Sequence, residues 1–386
     1  MLNTQFSPWP SFTEEEAKAV QDVLLSNKVN YWTGNECRSF EKDFAQWTGT
    51  KFSVALGNGT LALDSAFQAL NIQSGDEVIV TSRTYIASIS SIVNCGAIPI
   101  FVDIDISSQN ITPKNISSAI TSKTKAIVCV HLAGWPCDMD NIMEIANKNN
   151  LYVIEDCAQA HGAKYKEKPV GSIGNIGCWS FCQDKIITTG GEGGMITTND
   201  EKLWRRVWEF KDHGKSFNAI YNRKHPNGFR WLHESFGTNW RMTEMQAAIG
   251  KIQLKRMPEW HQKRLFNMKM IHNAARQCNV LRVPFIPDEI EHAAYKCYVF
   301  VNGNVILRDK IIEEINKEGV PCYSGSCSEV YLEKAFQNTS FKPKNRLKNA
   351  RELGDTSLMF LVHPTLTSGE IKKTCSVLKK VTSNIS

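Results

Sequence analysis

The sequence predicts an α/β protein with a large, mainly parallel sheet and a smaller α+β domain at the C-terminus. Apolar segments of strand length alternate with amphipathic segments of helical length through the first half of the chain, a pattern typical of parallel strands joined by crossover helices. The chain has 386 residues, which is enough for two domains with separate cores. Beyond residue 280 a few strands mix with helices, so the second domain is the smaller one. The predicted domains are residues 1–255 and 256–386.

Capping and turn signals mark the ends of individual elements. Thr13 stands at the N-cap of the first helix, and Glu16 occupies its capping-box position. Pro258 starts or interrupts a helix, because proline cannot donate the backbone hydrogen bond of a helix interior. The predicted strands are 52–56, 77–81, 98–103, 126–131, 151–156 and 295–302. The predicted helices are 11–26, 36–48, 61–69, 86–95, 112–120, 139–149, 200–210, 243–257 with a basic continuation to about 276, 310–318, 347–358 and 368–381.

Composition argues against several classes of protein. The formal charge is +6, but Lys and Arg do not cluster, so we expect no nucleic acid partner. The twelve cysteines form no CxxC pair and no zinc-like cluster with histidine, so we expect no metal and the reduced thiols of a cytoplasmic protein. Residues 1–10 lack the features of a signal peptide. No run approaches the ~18 apolar residues of a membrane span, so we expect no membrane association.

Two polar residues follow apolar strands, where parallel sheets bind their ligands. Asp156 ends the segment 151–156. Lys185 follows an apolar segment that begins at Cys178, and a glycine-rich loop comes after Lys185. A lysine beside an apolar wall can lose its charge and attack a carbonyl, and an aspartate can keep a pyridine nitrogen protonated. Together they suit pyridoxal 5'-phosphate (PLP), which carries an aldehyde and a ring nitrogen.

A phosphate site is predicted at the turn Gly57–Thr60. This turn joins a strand to a helix N-terminus, whose free N–H groups attract an anion. It is neither a Walker loop nor a GxGxxG motif, so a small phosphate monoester suits it. Ser180 can donate to the same phosphate, Tyr85 can stack on the ring and Gln159 can reach the ring hydroxyl. Several candidates follow strand ends and are expected on one rim: Thr60, Tyr85, His131, Asp156 and Lys185.

Each of these residues also has a simpler interpretation. The segment Val153–Asp156 resembles an acidic strand end that holds magnesium in a nucleotide hydrolase, although the Walker loop is missing. A lysine before glycines is usually a solvated loop residue, and tight glycine turns without a ligand are common. His161 is more often a structural histidine than a catalyst. The joint occurrence of lysine, aspartate and phosphate turn favours PLP.

Motifs spread along the whole chain carry a family resemblance. They are Asn58-Gly-Thr60, Gly75–Val80, Thr84–Ser88, Phe101-Val-Asp103, His131-Leu-Ala-Gly134, Glu155–Ala163, Ser180–Lys185, Thr188–Met195 and Asn239–Gly250. With these motifs the chain resembles the DegT/DnrJ/StrS family of PLP-dependent sugar-nucleotide aminotransferases, which have the aspartate aminotransferase (type I) fold.

The resemblance implies a role for each candidate. Lys185 would form the covalent bond with the cofactor aldehyde and shuttle a proton, and Asp156 would pair with the pyridinium. Asn239 matches an asparagine that reaches the phosphate from the neighbouring subunit, which implies a homodimer with two shared active sites. The other implied cofactor contacts are Gly59, Thr60 and Ser180 at the phosphate, Tyr85 over the ring and Gln159 near a cofactor oxygen.

Two departures from the family pattern leave these groups in place. Cys182 stands where relatives commonly have a second aromatic residue, and the run Thr188–Met195 contains one extra glycine. The stretch 211–238 is too long for an ordinary connection and too aromatic for a disordered linker, which suggests a substrate loop. Its Arg230 and His233 suit a diphosphate or sugar hydroxyls. Trp32 is the third candidate substrate contact, with packing on the core as the equal alternative.

The expected activity is transfer of an amino group from L-glutamate to a nucleotide-linked 4-keto-6-deoxy sugar. Such amino sugars serve O-antigen, lipopolysaccharide and other cell-surface polysaccharides. A C3 ketone is the second possibility. A PLP-dependent sugar dehydratase is a further alternative, but those relatives replace the lysine with histidine, so Lys185 argues against it. A PLP-bound regulator is disfavoured because the chain adds no DNA-binding segment.

Overall fold

A seven-stranded sheet forms the centre of the computed structural model, which describes residues 6–385. Residues 1–5, where part of the signal-peptide argument falls, and residue 386 lie outside the described part. The strands are, in order, β1 Phe52–Leu56, β2 Glu77–Thr81, β3 Ile98–Val102, β4 Thr124–Val130, β5 Tyr152–Asp156, β6 Lys164–Tyr165, β7 Lys168–Pro169, β8 Ile176–Ser180, β9 Gly194–Thr198, β10 Leu281–Arg282, β11 Ile290–Glu291, β12 Cys297–Val301, β13 Cys322–Tyr323 and β14 Ser357–Phe360. The helices are α1 Glu14–Leu25, α2 Glu36–Thr48, α3 Gly59–Ala69, α4 Ala87–Asn94, α5 Pro113–Ala119, α6 Met139–Lys148, α7 Glu201–Phe210, α8 Phe217–Tyr221, α9 Glu244–Ala275, α10 Val305–Lys317, α11 Lys348–Thr356 and α12 Ser368–Ile385.

The central sheet has the strand order β1-β9-β8-β5-β4-β2-β3. Strands β8, β5, β4, β2 and β3 run parallel, and β9 pairs antiparallel with both β8 and β1. Helices cover both faces, so strands such as β4 are apolar on both sides, with Ala126 to Val130 all buried. The predicted mainly parallel sheet is confirmed, and the carboxyl ends of its parallel strands share one edge.

The predicted elements of the large domain are present with ends within three residues of the prediction, apart from the helix at Pro258. The capping box of Thr13 and Glu16 is formed. The prediction for Pro258 was wrong, because α9 continues through it for 32 residues. The proline removes one hydrogen bond, and α9 tolerates the loss because it packs against α1, α2 and α12.

The C-terminal part contains an antiparallel sheet in the order β10-β12-β14-β13, on which α9 and α10 pack. Strand β14 begins where the helix 347–358 was predicted to end, since no turn residue separates the two. The domain division at residue 255 stays a prediction, and that position lies inside α9. Leu254 and Met257 pack in the core beside the large sheet, whereas Met268 and Ile271 pack in the C-terminal core.

The twelve cysteines all lie in the described part of the chain and form no disulfide. Nine of them are buried, which agrees with their placement in apolar segments. Among residues 6–385, no helix is both long and apolar enough to cross a bilayer.

Candidate active site

A cavity of about 570 Å³ opens at the carboxyl edge of the central sheet. This volume lies within the range of roughly 300–1,000 Å³ that small-molecule sites occupy. The structure brings seven predicted cofactor residues to its wall: Gly59, Thr60, Tyr85, Asp156, Gln159, Ser180 and Lys185.

Asp156 provides a buried carboxylate at the end of β5. Its side chain is 6% exposed, with Oδ2 accepting a hydrogen bond from Ser88 Oγ at 2.8 Å and Oδ1 accepting one from the Ala158 N–H at 3.1 Å. Burial raises the pKa of Asp156, although these two donors and the charge of Lys185 oppose the rise. The carboxylate is therefore oriented by the protein and would gain from a cationic partner in the cavity.

The N-terminus of α3 and the end of β8 meet at the wall of the same cavity. Asn58 caps α3 by accepting the Leu61 N–H at 2.9 Å, while the first N–H groups of a helix, here those of Gly59 and Thr60, have no intrahelical acceptor. A Cβ at Gly59 would lie 2.5 Å from the Ser180 Cβ, so only glycine allows this approach. The backbone N–H groups and the Ser180 hydroxyl form a cradle for an anion.

Lys185 lies on the loop after β8 with its side chain 17% exposed. Its Nζ is 3.5 Å from the Tyr295 hydroxyl and 3.6 Å from Asp184 Oδ1. Its backbone carbonyl accepts a hydrogen bond from Trp9 Nε1 at 2.9 Å. The amine is therefore held at the cavity wall by its neighbour Asp184 and by the distant Tyr295, while Trp9 holds the backbone.

Gln159 and His131 take different positions around the same edge. Gln159 lines the cavity, and its Oε1 accepts the N–H of Ala133, which has a left-handed φ of 57°. The expectation that His131 shares the rim was wrong. Its Nδ1 accepts the Cys137 N–H at 3.0 Å, so its Nε2 donates to Glu155 at 2.9 Å, and the ring is fully buried away from the cavity wall.

Glu155 accounts for the orientation of His131. Its carboxylate also accepts the backbone N–H groups of Gly171, Ile173 and Gly174. Burial alone would raise the pKa of Glu155, but His131 and the backbone donors outweigh burial and hold it below the usual value. Glu155 and His131 lie with Cys157 in a buried group of potential metal-ligand type. The hydrogen bonds already use the carboxylate and both ring nitrogens, so the group stabilises the fold and is not available to bind a metal.

Tyr85 and the predicted substrate residues are more exposed. Tyr85 is 70% exposed and lies at the cavity wall. Arg230, His233 and Asn239 are exposed and do not line this cavity of the same chain. Trp32 is half-buried, and its Nε1 donates to Asp212 Oδ2 at 2.8 Å, so it packs at the base of the 211–238 loop.

Sequence reasoning missed Ser88, Asp184 and Tyr295. Ser88 lies four residues after Thr84, and their hydroxyls are 2.9 Å apart, so the helical spacing past the strand end was a usable signal. Asp184 is adjacent to Lys185 and was visible as a charged neighbour. Tyr295 offered no signal, because 110 residues separate it from Lys185.

These residues fit PLP. The cradle at Gly59 and Ser180 matches a phosphate, the buried Asp156 matches a ring nitrogen that carries a proton, and Lys185 supplies an amine at the wall of the same cavity. The α/β fold and this donor set define a PLP-dependent enzyme.

The chain belongs to the DegT/DnrJ/EryC1/StrS aminotransferase family, whose model matches residues 10–379. It is 36% identical to the GDP-perosamine synthase of Caulobacter vibrioides, over 94% of this chain and 95% of that protein. It is 41% identical to the dTDP-3-amino-3,6-dideoxy-alpha-D-galactopyranose transaminase of Aneurinibacillus thermoaerophilus, over 75% of each chain. The protein is a PLP-dependent sugar-nucleotide transaminase.

Two solved structures are similar along the whole chain. The aminotransferase from Psychrobacter cryohalolentis is 62% identical, with a TM-score of 0.96 over 98% of this chain and 99% of that one. The PLP form of the putative sugar aminotransferase Spr1654 from Streptococcus pneumoniae is 26% identical, with a TM-score of 0.88 over 100% of each chain.

Proposed function

We propose that the protein transfers the amino group of L-glutamate to C4 of a nucleotide-linked 4-keto-6-deoxy sugar. The observation that carries the transaminase part is the convergence of Lys185, Asp156 and the Gly59–Ser180 cradle on one cavity. The likeness to a GDP-perosamine synthase supports a nucleotide-linked sugar as the acceptor, and the C4 position is our expectation from the sequence. The product would serve O-antigen or another cell-surface polysaccharide. The free thiols favour a reducing compartment, and we place the reaction in the cytoplasm.

The chain's own groups divide the work between binding and proton transfer. When bound, PLP supplies an aldehyde that joins amines and a ring that withdraws electrons. Gly59, Thr60 and Ser180 would hold its phosphate, and Asp156 would pair with its ring nitrogen. Lys185 Nζ accepts a proton from the donor carbon and returns one to the sugar carbon.

The loop 211–238 is the proposed sugar-nucleotide contact. Asp212 fixes its base by accepting hydrogen bonds from Trp32 Nε1, Lys215 Nζ and Arg241 Nη1. Beyond this base the exposed Arg230 and His233 are available for a diphosphate or sugar hydroxyls. Trp32 contributes by fixing the loop and remains a proposed substrate contact.

An Arg230→Ala variant tests the loop. We expect the KM for the sugar nucleotide to rise about ten- to 150-fold, with the KM for glutamate unchanged, because a lost charge-assisted contact costs on the order of 1.5–3 kcal/mol. Arg276→Ala is the control, since Arg276 is exposed at the C-cap of α9 and its side chain donates to Asn273 Oδ1, away from the loop in sequence. An unchanged sugar-nucleotide KM in Arg230→Ala removes this residue from the proposed site.

We propose a homodimer in which Asn239 completes the phosphate site of the partner. Asn239 is exposed and lies outside the cavity of its own chain, next to the anchored base at Asp212. Mixing inactive Lys185→Ala and Asn239→Ala chains tests this sharing. In a mixed dimer one site receives both defects and the other none, so random mixing restores about a quarter of the activity. If Asn239 acts within its own chain, mixing restores nothing.

A C3-keto sugar is the second candidate substrate. The likeness to a transaminase whose product carries its amino group at C3 favours it. Incubation with matched 4-keto and 3-keto sugar nucleotides, followed by mass spectrometry and NMR of the product, separates the two. Amination at C3 alone would replace the C4 proposal.

A further inference from the structure

The amine of Lys185 lies against a pair of side chains that the reaction does not yet account for. Its Nζ is 3.5 Å from the Tyr295 hydroxyl, 3.6 Å from Asp184 Oδ1 and 5.1 Å from the centre of the Tyr295 ring. The contacts come from a neighbour in sequence and from a residue 110 positions away. They therefore fix the end of the lysine side chain from two independent parts of the chain.

Asp184 and Tyr295 are also bonded to each other. The Tyr295 hydroxyl donates to Asp184 Oδ2, which leaves Oδ1 directed at Lys185. Burial, followed by the charge of Asp184, raises the pKa of Tyr295 well above its usual value, so the hydroxyl remains a donor. Burial would raise the pKa of Asp184, but Lys185 and Tyr295 outweigh it and hold that pKa below the usual value. The pair thus presents the carboxylate charge of Asp184 to the amine at neutral pH.

Two other basic side chains lie beside Tyr295, and one of them, Lys296, opposes a positive charge on Lys185. Lys296 Nζ lies 4.7 Å from the centre of the Tyr295 ring, and Arg264 Nη1 donates to the Tyr295 carbonyl at 3.5 Å. Burial lowers the pKa of Lys296 to about 8 and that of Arg264 to about 9. In the described part of the chain, Asp184 is the carboxylate that forms an ion pair with Lys185. Without it, a charged Lys185 would be opposed by Lys296, whose pKa the charge of Lys185 helps to lower.

We propose that Asp184 and Tyr295 form a docking pair that holds the Lys185 ammonium whenever this side chain is not covalently bound. The pair keeps Nζ at the cavity wall during the stages in which the lysine carries a proton, and it neutralises the charge there. Both are positioning residues, because they act through Lys185. The inference rests on the proposed role of Lys185.

The test measures the chemical reactivity of Lys185 in the full chain loaded with pyridoxamine 5'-phosphate, in which the lysine is free. A limiting amount of an amine-acylating reagent is added, and peptide mass spectrometry gives the acylation rate at each lysine. In Asp184→Asn the amide still accepts from Tyr295, but the ion pair is lost. We expect the Lys185 rate to rise about two- to fivefold, the factor that a partly exposed ion pair supplies. Tyr295→Phe, which keeps the ring, should give a smaller rise in the same direction.

Lys251 is the internal control, because it is paired with Glu36 and has a similar side-chain exposure of 24%. Its rate should be the same in all three proteins. An unchanged Lys185 rate in Asp184→Asn overturns the docking pair, as does an equal change at Lys251. Kinetics on the same variants should show a lower kcat with an unchanged sugar-nucleotide KM.

The outcome is separable from that of the proposed function. If every keto sugar nucleotide fails as a substrate while the acylation rates change as expected, the proposed function fails and the docking pair stands. If transamination proceeds and the acylation rates do not change, the docking pair alone fails.

Discussion

Replacing Asp156 with asparagine separates the electrostatic role of this carboxylate from its place in the fold. In the native chain its two oxygens accept hydrogen bonds from Ser88 Oγ and the Ala158 N–H. An amide oxygen retains the bond from Ala158, and the amide NH₂ can donate to Ser88. The Ser88 hydroxyl can then direct its hydrogen to Thr84 Oγ1, which is 2.9 Å away. The substitution therefore removes a charge and leaves every partner satisfied.

The magnitude follows from the burial of the site. Because burial raises the pKa of Asp156, the folded chain disfavours the ionised form, and Asp156→Asn should not lower the unfolding midpoint without PLP. With PLP the variant lacks the anion opposite the ring nitrogen. Loss of one preorganised electrostatic group typically lowers kcat about 10²- to 10³-fold, and we expect that range.

Two assays decide the matter. Steady-state kinetics with both substrates saturating gives kcat. Thermal unfolding with and without PLP gives the stabilisation that the cofactor provides. This stabilisation falls by about 1.4 kcal/mol for each tenfold loss of affinity for PLP. A kcat within about threefold of the native value would refute the electrostatic role. A lower unfolding midpoint without PLP would show that Asp156 is primarily structural.

Three further variants test other parts of the site. Gly59→Ala places a Cβ 2.5 Å from the Ser180 Cβ and should weaken PLP binding at least about tenfold in a spectroscopic titration, whereas Gly369→Ala, with nothing closer than 3.8 Å, should leave it unchanged. Glu155→Gln places an amide NH₂ against two of the four donors that the carboxylate accepts, and these unsatisfied donors should lower the unfolding free energy at pH 7 by about 2–6 kcal/mol. Folding lowers the pKa of Glu155, so its contribution to stability is present above about pH 4.5 and is lost as the pH falls through the pKa of the folded state. Native and variant chains that lose stability equally in acid would contradict this. Asp212→Ala leaves Lys215 and Arg241 unpaired, so the unfolding free energy measured with denaturant should fall by about 2–3 kcal/mol. The control Glu201→Ala breaks only an exposed ion pair and should lower it by less than about 1 kcal/mol.

The sequence predicted the residues whose positions depend on strand ends. Asp156, Lys185 and Gly59 each follow or begin an element with a clear pattern, and parallel strands bring such positions to one edge. His131 also follows a strand, yet its ring turns to Glu155. The direction of a side chain beyond a strand depends on the next turn, and here the Cys137 N–H fixes it.

Long-range contacts could not be predicted in this way. Trp9 reaches the carbonyl of Lys185 across 176 residues, and Tyr295 reaches its amine across 110. Neither residue has a local signal, because both contacts depend on how the C-terminal part and the N-terminal segment pack on the central sheet. The prediction that Pro258 starts or interrupts a helix was wrong for a related reason, because packing on several sides of α9 outweighed the local effect of the proline.

The most direct test of the central claim follows nitrogen from donor to product. The protein, loaded with PLP, is incubated with ¹⁵N-labelled L-glutamate and a panel of keto sugar nucleotides, and the products are analysed by mass spectrometry. The proposed function predicts a ¹⁵N-labelled amino sugar nucleotide from a 4-keto-6-deoxy substrate, and none from the Lys185→Ala chain. Product without the label, or labelled product formed equally well by Lys185→Ala, would contradict it.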